Sequence, residues 1–303
     1  MKHPLKLTSI LLVMFLVTQL IGLFVVNFYL SPETTLPFGL EPPEIEEQSQ
    51  YYGLFTGIII AFIIAISLLF FMTKLKIHFV LKLWFFFVVV LALALSLFTL
   101  TNSFDTLTAG IPIIATLIAL PLAIVKIFGR NFLVHNATEL LIYPGIASVF
   151  VPLLNVPTVV GLLVIIALYD MWAVWHTGMM QKMAKYQMNN LKIFTGFFVP
   201  YLDRKTRQKI KAWKKNLPKS KLKKKKVSVN VAILGGGDIV FPIIAAGVML
   251  KTLGLASALL VILGAFTALA YLFSITKKKK FYPAMVFITP GILLGIAVSY
   301  LIL

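Results

Sequence analysis

The sequence predicts an all-α polytopic membrane protein with nine transmembrane helices, a cytoplasmic N-terminus and an outward-facing C-terminus. Three observations lead there. Of the 303 residues, 60% are hydrophobic and only 13% are charged, against about 45–50% and about 25% in a soluble globular domain. Apolar stretches of about 20 residues, the length of a membrane helix, recur nine times. The basic residues fall almost wholly on one side of those stretches, as residues retained in the cytoplasm do.

The first span, 7–30, is too long for a signal-peptide core and lacks a small-residue cleavage site before Ser31, so it reads as a retained helix. The acidic cluster Glu33, Glu41, Glu44, Glu46 and Glu47 separates it from the second span, 51–73. The third, 81–101, carries the run Trp84-Phe85-Phe86-Phe87, which reads as lipid-facing or packing surface. Spans follow at 106–126 and at 137–154. The latter is the weakest: it is short, holds Pro144, Gly145 and Pro152, and starts near Glu139. The sixth, 157–180, leads into a long polar connection at 181–226. Three more spans, 227–250, 253–275 and 281–303, complete the chain. The expected organisation is therefore six spans in 1–180, a basic cytoplasmic loop, and three spans in 227–303.

Charge sets the direction. With nine spans and the N-terminus inside, 27 of the 28 Lys and Arg residues lie on the cytoplasmic side, and only Lys251 lies outside. The acidic cluster falls on the outer side. The net charge of +18 does not point to nucleic acid, because these lysines border membrane spans. It fits topology control and attraction to anionic lipid headgroups, from the 181–226 loop above all. An amphipathic interfacial stretch is expected around Ile193 to Trp213. There is no cysteine, hence no disulfide and no thiolate-ligated metal. The four histidines (His3, His78, His135, His176) are too scattered for a metal site, and no metal or other cofactor is expected. His78 and His135 sit near cytoplasmic ends, and His176 lies off the face of Asp170.

Two aspartates stand apart. Asp170 lies in Leu168-Tyr169-Asp170-Met171-Trp172, and Asp238 in Leu234-Gly235-Gly236-Gly237-Asp238-Ile239. Of the ten acidic residues, only these two are central in a span. A carboxylate at membrane depth costs several kcal/mol and usually serves function. Asp170 is eleven residues from Gln181, and Asp238 is twelve from Lys226. At the rise of a helix both would lie about 16–18 Å from the cytoplasmic boundary. Two adjacent carboxyls cannot both ionise readily, so one keeps a proton while the other is a base, the mixed state that peptide hydrolysis by water requires.

Other residues cluster around the pair. Gly235 and Gly237 remove side chains just before Asp238, which would let another backbone approach or simply allow close helix packing. Tyr169 is placed to hydrogen-bond a carboxylate or a substrate. Pro283-Ala284-Met285 opens the ninth span, either as an extended segment able to pair with an unwound peptide or as an ordinary proline in a first helical turn. Taken by depth and charge alone, the aspartates fit a proton- or cation-coupled transporter about as well as a protease. Spans six and seven offer few further polar residues for an ion path: mainly Thr158, Tyr169, His176 and Thr177 on one, Ser228 and Asn230 on the other.

Tyr169-Asp170, Gly235-Gly236-Gly237-Asp238 and Pro283-Ala284-Met285, on spans six, seven and nine, together resemble the presenilin and signal peptide peptidase family. Those intramembrane aspartyl proteases carry YD, GxGD and PAL on the same three helices. The resemblance covers essentially the whole chain and implies that Asp170 and Asp238 are the catalytic pair. It makes Tyr169, Gly235, Gly237, Pro283, Ala284 and Met285 the residues that position substrate. Met285 stands where the family has leucine, a change of similar volume. The implied activity is hydrolysis, without cofactor, of peptide bonds within transmembrane helices of other proteins. A cytoplasmic loop between the two Asp helices is the presenilin arrangement, which implies a preference for substrate helices with their N-terminus outside. The short basic chain resembles a prokaryotic-type homologue in a cell membrane. The resemblance also suggests that the 181–226 loop is cut during maturation.

Overall fold

The computed structural model describes residues 5–75, 77–105, 107–108, 110–129, 131–176, 195–201, 230–276 and 282–303. Among these, nine α-helices of 16 residues or more follow one another. They are α1 (Leu5–Tyr29), α2 (Gln50–Lys74), α3 (His78–Thr101), α4 (Ile113–Phe128), α5 (Phe132–Phe150), α6 (Val156–Trp175), α7 (Gly237–Leu253), α8 (Leu255–Ile275) and α9 (Ala284–Ile302). Seven are long and apolar enough to cross a membrane; α4, at 16 residues, and α7, at 17, are shorter. Large apolar side chains such as Val13, Phe24, Ile63, Trp84 and Leu294 lie exposed, as a lipid-facing surface requires.

The chain is mostly rather than wholly helical. Two short antiparallel pairings join β1 (Leu107–Thr108) to β2 (Ile111–Pro112), and β3 (Gly196–Tyr201) to β4 (Asn230–Gly235). Both correct the expected spans. The fourth helix begins at Ile113 and not near 106, because the Asp105 carboxylate accepts from the N–H groups of Ile114 and Ala115, each at 2.8 Å. That caps donors that have no partner inside the helix. The seventh apolar stretch divides: residues 230–235 pair as a strand and the helix starts only at Gly237. The amphipathic stretch expected from Ile193 falls outside the described residues except at 195–201, most of which is strand β3. The rest of the 181–226 loop and Lys277–Lys280 also lie outside the described residues.

The β3–β4 pairing is held against the helices by α5. Asn136 grips both polar groups of Phe198: its Nδ2 donates to the Phe198 carbonyl at 2.9 Å, and its Oδ1 accepts from the Phe198 N–H at 3.1 Å. His135 Nε2 donates to the Gly196 carbonyl at 2.9 Å. Glu139 is not near a helix end, as its place in the apolar stretch suggests. It is the eighth residue of α5, 1% exposed, and paired with the equally buried Lys126 of α4. His135 joins the same cluster, its ring within reach of both Lys126 and Glu139.

The largest core gathers residues from α1, α5, α6, α7, α8 and α9, among them Phe15, Ala147, Leu163, Ile243, Val261 and Ile292. A second cluster packs α3 on α4 through Leu93, Ala119 and Ala123. Lipid tails are as apolar as leucine, so helix seams in a membrane depend on close packing more than on hydrophobic burial. The α8–α9 seam is one such close contact. Gly264 of α8 faces Gly291 of α9, and Gly295 one turn on meets the backbone of Leu260 and Val261.

Candidate active site

Three helices, α6, α7 and α9, pack on one another and bring the sequence-predicted residues together. The α6 helix starts at a capping box: the Asn155 side chain accepts from the Thr158 N–H, and Thr158 Oγ1 accepts from the Asn155 N–H. Four turns on, Asp170 is buried, with 7% exposure. Its Oδ2 accepts from the Met285 N–H at 3.1 Å.

That bond explains the position of the proline segment. Pro283 takes an extended conformation, φ −70° and ψ 107°, as the cap of α9, and Ala284 is the first helical residue. The Met285 N–H is then one of the four at a helix start that no carbonyl of the same helix can reach. The carboxylate of Asp170 satisfies it. Pro283 is buried and Ala284 half-buried, while the Met285 side chain is 2% exposed within the main core. So the segment meets Asp170 directly, and its closeness to Lys280 in sequence does not leave it shallower than the aspartate.

Asp238 is the second residue of α7, in its first turn, directly after strand β4. It is half-buried, on a helix that packs against both α6, which carries Asp170, and α9. Among the described residues, neither aspartate forms an ion pair. Gln19 of α1, fully buried, donates from Nε2 to the Ile239 carbonyl at 3.0 Å and so ties the residue after Asp238 to a third element.

The glycines divide the work differently from expectation. Gly235 pairs with Gly196 of β3, and a side chain there would meet only the Asp238 carboxylate, at 3.1 Å; one at Gly237 would meet only the Phe241 ring, at 3.6 Å. The close approach is at Gly236, where an added Cβ would stand 2.7 Å from the hydroxyl oxygen of Tyr143 and 3.0 Å from its ring. Tyr169 is 40% exposed, makes no hydrogen bond among the described residues, and lies with its ring beside Trp172.

Tyr143, Gln19, Asn136 and Gly236 are therefore residues of this region that the sequence pattern does not single out. A glutamine in the middle of an apolar span is a visible signal for Gln19. The others depend on which helix faces the Asp238 turn, and spacing carries no such information. Among the described residues, no group of His, Asp or Glu side chains could hold a metal ion.

Comparison with known proteins bears on family and fold. A family model described as signal-peptide peptidase, presenilin aspartyl protease matches residues 12–303. Two solved structures, each described as a presenilin family intramembrane aspartate protease, in C222 and P2 space groups, share the fold. The first superposes with a TM-score of 0.61 at 17% identity, covering 98% of this chain and 99% of that one. The second gives a TM-score of 0.56 at 18% identity, covering 97% of each. No curated protein matches the chain.

Proposed function

The chain belongs to the signal-peptide peptidase and presenilin family of aspartyl proteases, and within that family we propose that Asp170 and Asp238 are its catalytic pair. The protein is an intramembrane aspartyl endopeptidase acting on peptide bonds in the transmembrane helices of other proteins; the transport reading finds no support. The observation that carries the proposal is the Met285 N–H bond to Asp170, which joins the α9 segment to one carboxylate while the other lies on α7, packed against both helices.

In the proposed mechanism the ionised aspartate takes a proton from water as that water attacks the scissile carbonyl carbon, and the protonated partner donates to the carbonyl oxygen. The proton gained by the base then passes to the leaving nitrogen as the C–N bond breaks, while a hydroxyl of the tetrahedral diol returns its proton to the partner as the carbonyl re-forms, which leaves the pair with one shared proton again. The test uses purified protein in detergent with a single-span peptide and mass spectrometry of the products. Cuts inside the span that vanish without either aspartate support the pair.

Tyr169, Gly235, Gly237 and the Pro283–Met285 segment serve in this reading to position substrate. Support is strongest for Met285, and there it rests on the backbone. Met285→Leu keeps the N–H and nearly conserves volume, so it costs under about 1.5 kcal/mol of stability and leaves cleavage within about threefold of wild type. A tenfold loss with unchanged thermal unfolding would instead assign a specific task to the Met285 side chain.

The proposed topology is nine spans with the N-terminus in the cytoplasm, in a prokaryotic-type cell membrane, with the basic 181–226 loop near anionic lipid headgroups and open to cleavage in maturation. Orientation follows from 27 of 28 basic residues falling on one side, and with it a preference for substrate helices whose N-terminus lies outside. Because the chain has no cysteine, each single-cysteine variant carries one thiol. In sealed cells, Ser49→Cys is expected to react with a membrane-impermeant maleimide, and Ser220→Cys only after the membrane is opened. The reverse pattern would invert the protein and its substrate preference.

A further inference from the structure

Outside the aspartates, the most unusual polar group near the site is the hydroxyl of Tyr143. The side chain is 4% exposed, and among the described residues its Oη completes no well-formed hydrogen bond. Leaving a buried hydroxyl unpaired is costly, so such a group calls for an explanation. Its surroundings are not apolar by accident. On one side Tyr143 fills the space that the missing side chain of Gly236 leaves, two residues before Asp238. On the other stand Glu139, one turn earlier on α5, and the backbone of Gly196 in β3, both close to the hydroxyl. The Asp238 carboxylate folds back toward the same turn, its Oδ2 3.1 Å from where a Cβ on Gly235 would stand.

Glu139 is itself fixed. It is paired with Lys126 of α4, and the His135 ring lies 3.5 Å from its Oε1. A buried ion pair is weak evidence for stability, since its desolvation offsets much of its attraction. An orienting task explains it better. The tyrosine ring also packs edge-on against Phe197 of β3, with centroids 6.2 Å apart. One side chain thus touches strand β3, the Gly236 turn and the charged cluster of α4 and α5.

We infer that Tyr143 is a positioning residue for Asp238: its hydroxyl, set against Gly236 and backed by the Lys126–Glu139 pair, orients the Asp238 carboxylate and the water it activates. The inference rests on Asp238 being one of the catalytic pair. A donor that meets its acceptor only as water and substrate arrive would stay unpartnered in their absence, and it would act on the chemical step more than on substrate binding.

Tyr143→Phe isolates the hydroxyl, because it keeps the ring that packs on Gly236 and Phe197. Were the residue only a space-filler, removing an unpaired buried hydroxyl would leave the protein as stable or more so, with unchanged kinetics. The expected result is unchanged or higher thermal stability together with a kcat lowered about 10- to 100-fold and KM within about twofold. The acidic limb of the kcat–pH profile should move to higher pH, because a carboxylate that has lost a donor is more easily protonated. Wild-type kcat and pH profile in Tyr143→Phe, with Asp238→Ala inactive, would overturn the inference alone. Activity retained in Asp238→Ala would overturn the catalytic pair on which it rests. Should Tyr143→Phe unfold, Gly236→Ala supplies the second measurement. Its methyl group displaces the hydroxyl while leaving it present, and the same loss of kcat with KM held is expected; an unchanged kcat would count against Tyr143.

Discussion

Alanine at Asp170 or at Asp238 is expected to lower kcat for cleavage of a single-span substrate by about 10⁴-fold, the upper end of what one positioned acid or base contributes. Alanine at both should be no slower than either alone. Two groups that share one proton act as a unit, and removing one removes the function of the other. Additive losses would mean that the carboxylates act separately, as in a relay of ion sites. Fold and chemistry can be parted at Asp170, because asparagine there keeps an oxygen able to accept from the Met285 N–H at the present 3.1 Å. Asp170→Asn should therefore hold α6 against α9 and keep its unfolding temperature while losing cleavage. Turnover retained in any single variant, measured against a double-alanine control, would remove that aspartate from the mechanism.

The two aspartates are legible in the amino-acid sequence alone. Two carboxylates in apolar spans are improbable enough to draw attention, and runs of about 20 apolar residues place most helices to within a few positions. Strand β4 is not legible in that way. Asn230-Val-Ala-Ile-Leu-Gly235 is a short apolar run, and periodicity does not separate a buried strand from a buried helix at that length. Its partner, Gly196–Tyr201, lies 29 residues upstream of Asn230 at its nearest end, inside a segment whose lysines suggest only a polar loop. Depth reckoned at 1.5 Å per residue consequently fails for Asp238, since a strand rises about 3.3 Å per residue. What replaces the arithmetic is a chain of contacts: Asn136 and His135 hold β3, β3 holds β4, and β4 ends one residue before the turn that carries Asp238. Glu139 looks peripheral in a span that starts at 137. With Asn131 capping the helix by accepting from Leu133 and Val134, the same residue moves a full two turns inside.

Gly291→Ala is expected to disturb both the fold and the site with a single added methyl group. Its Cβ would overlap the Gly264 carbonyl oxygen and stand 2.6 Å from the Cβ of Ala268. One obstacle is backbone, so no rotamer change relieves it, and α8 and α9 must separate. Overpacking of this kind costs typically about 1–3 kcal/mol. In a membrane, moreover, no hydrophobic force draws the displaced helices back together, because their apolar faces are equally at ease in lipid. The separation also reaches the site. Gly291 lies six residues beyond Met285 on the same helix, and the Met285 N–H is what meets Asp170. Lower unfolding temperature and lower cleavage are therefore expected together, with cleavage falling further than stability because the Asp170 bond depends on the placement of α9. Gly57→Ala makes the matching control: in α2 an added Cβ meets nothing within 4 Å, and alanine there gains about 1 kcal/mol of helix propensity. Equal behaviour of the two variants would show that the α8–α9 seam is not what holds Met285 against Asp170.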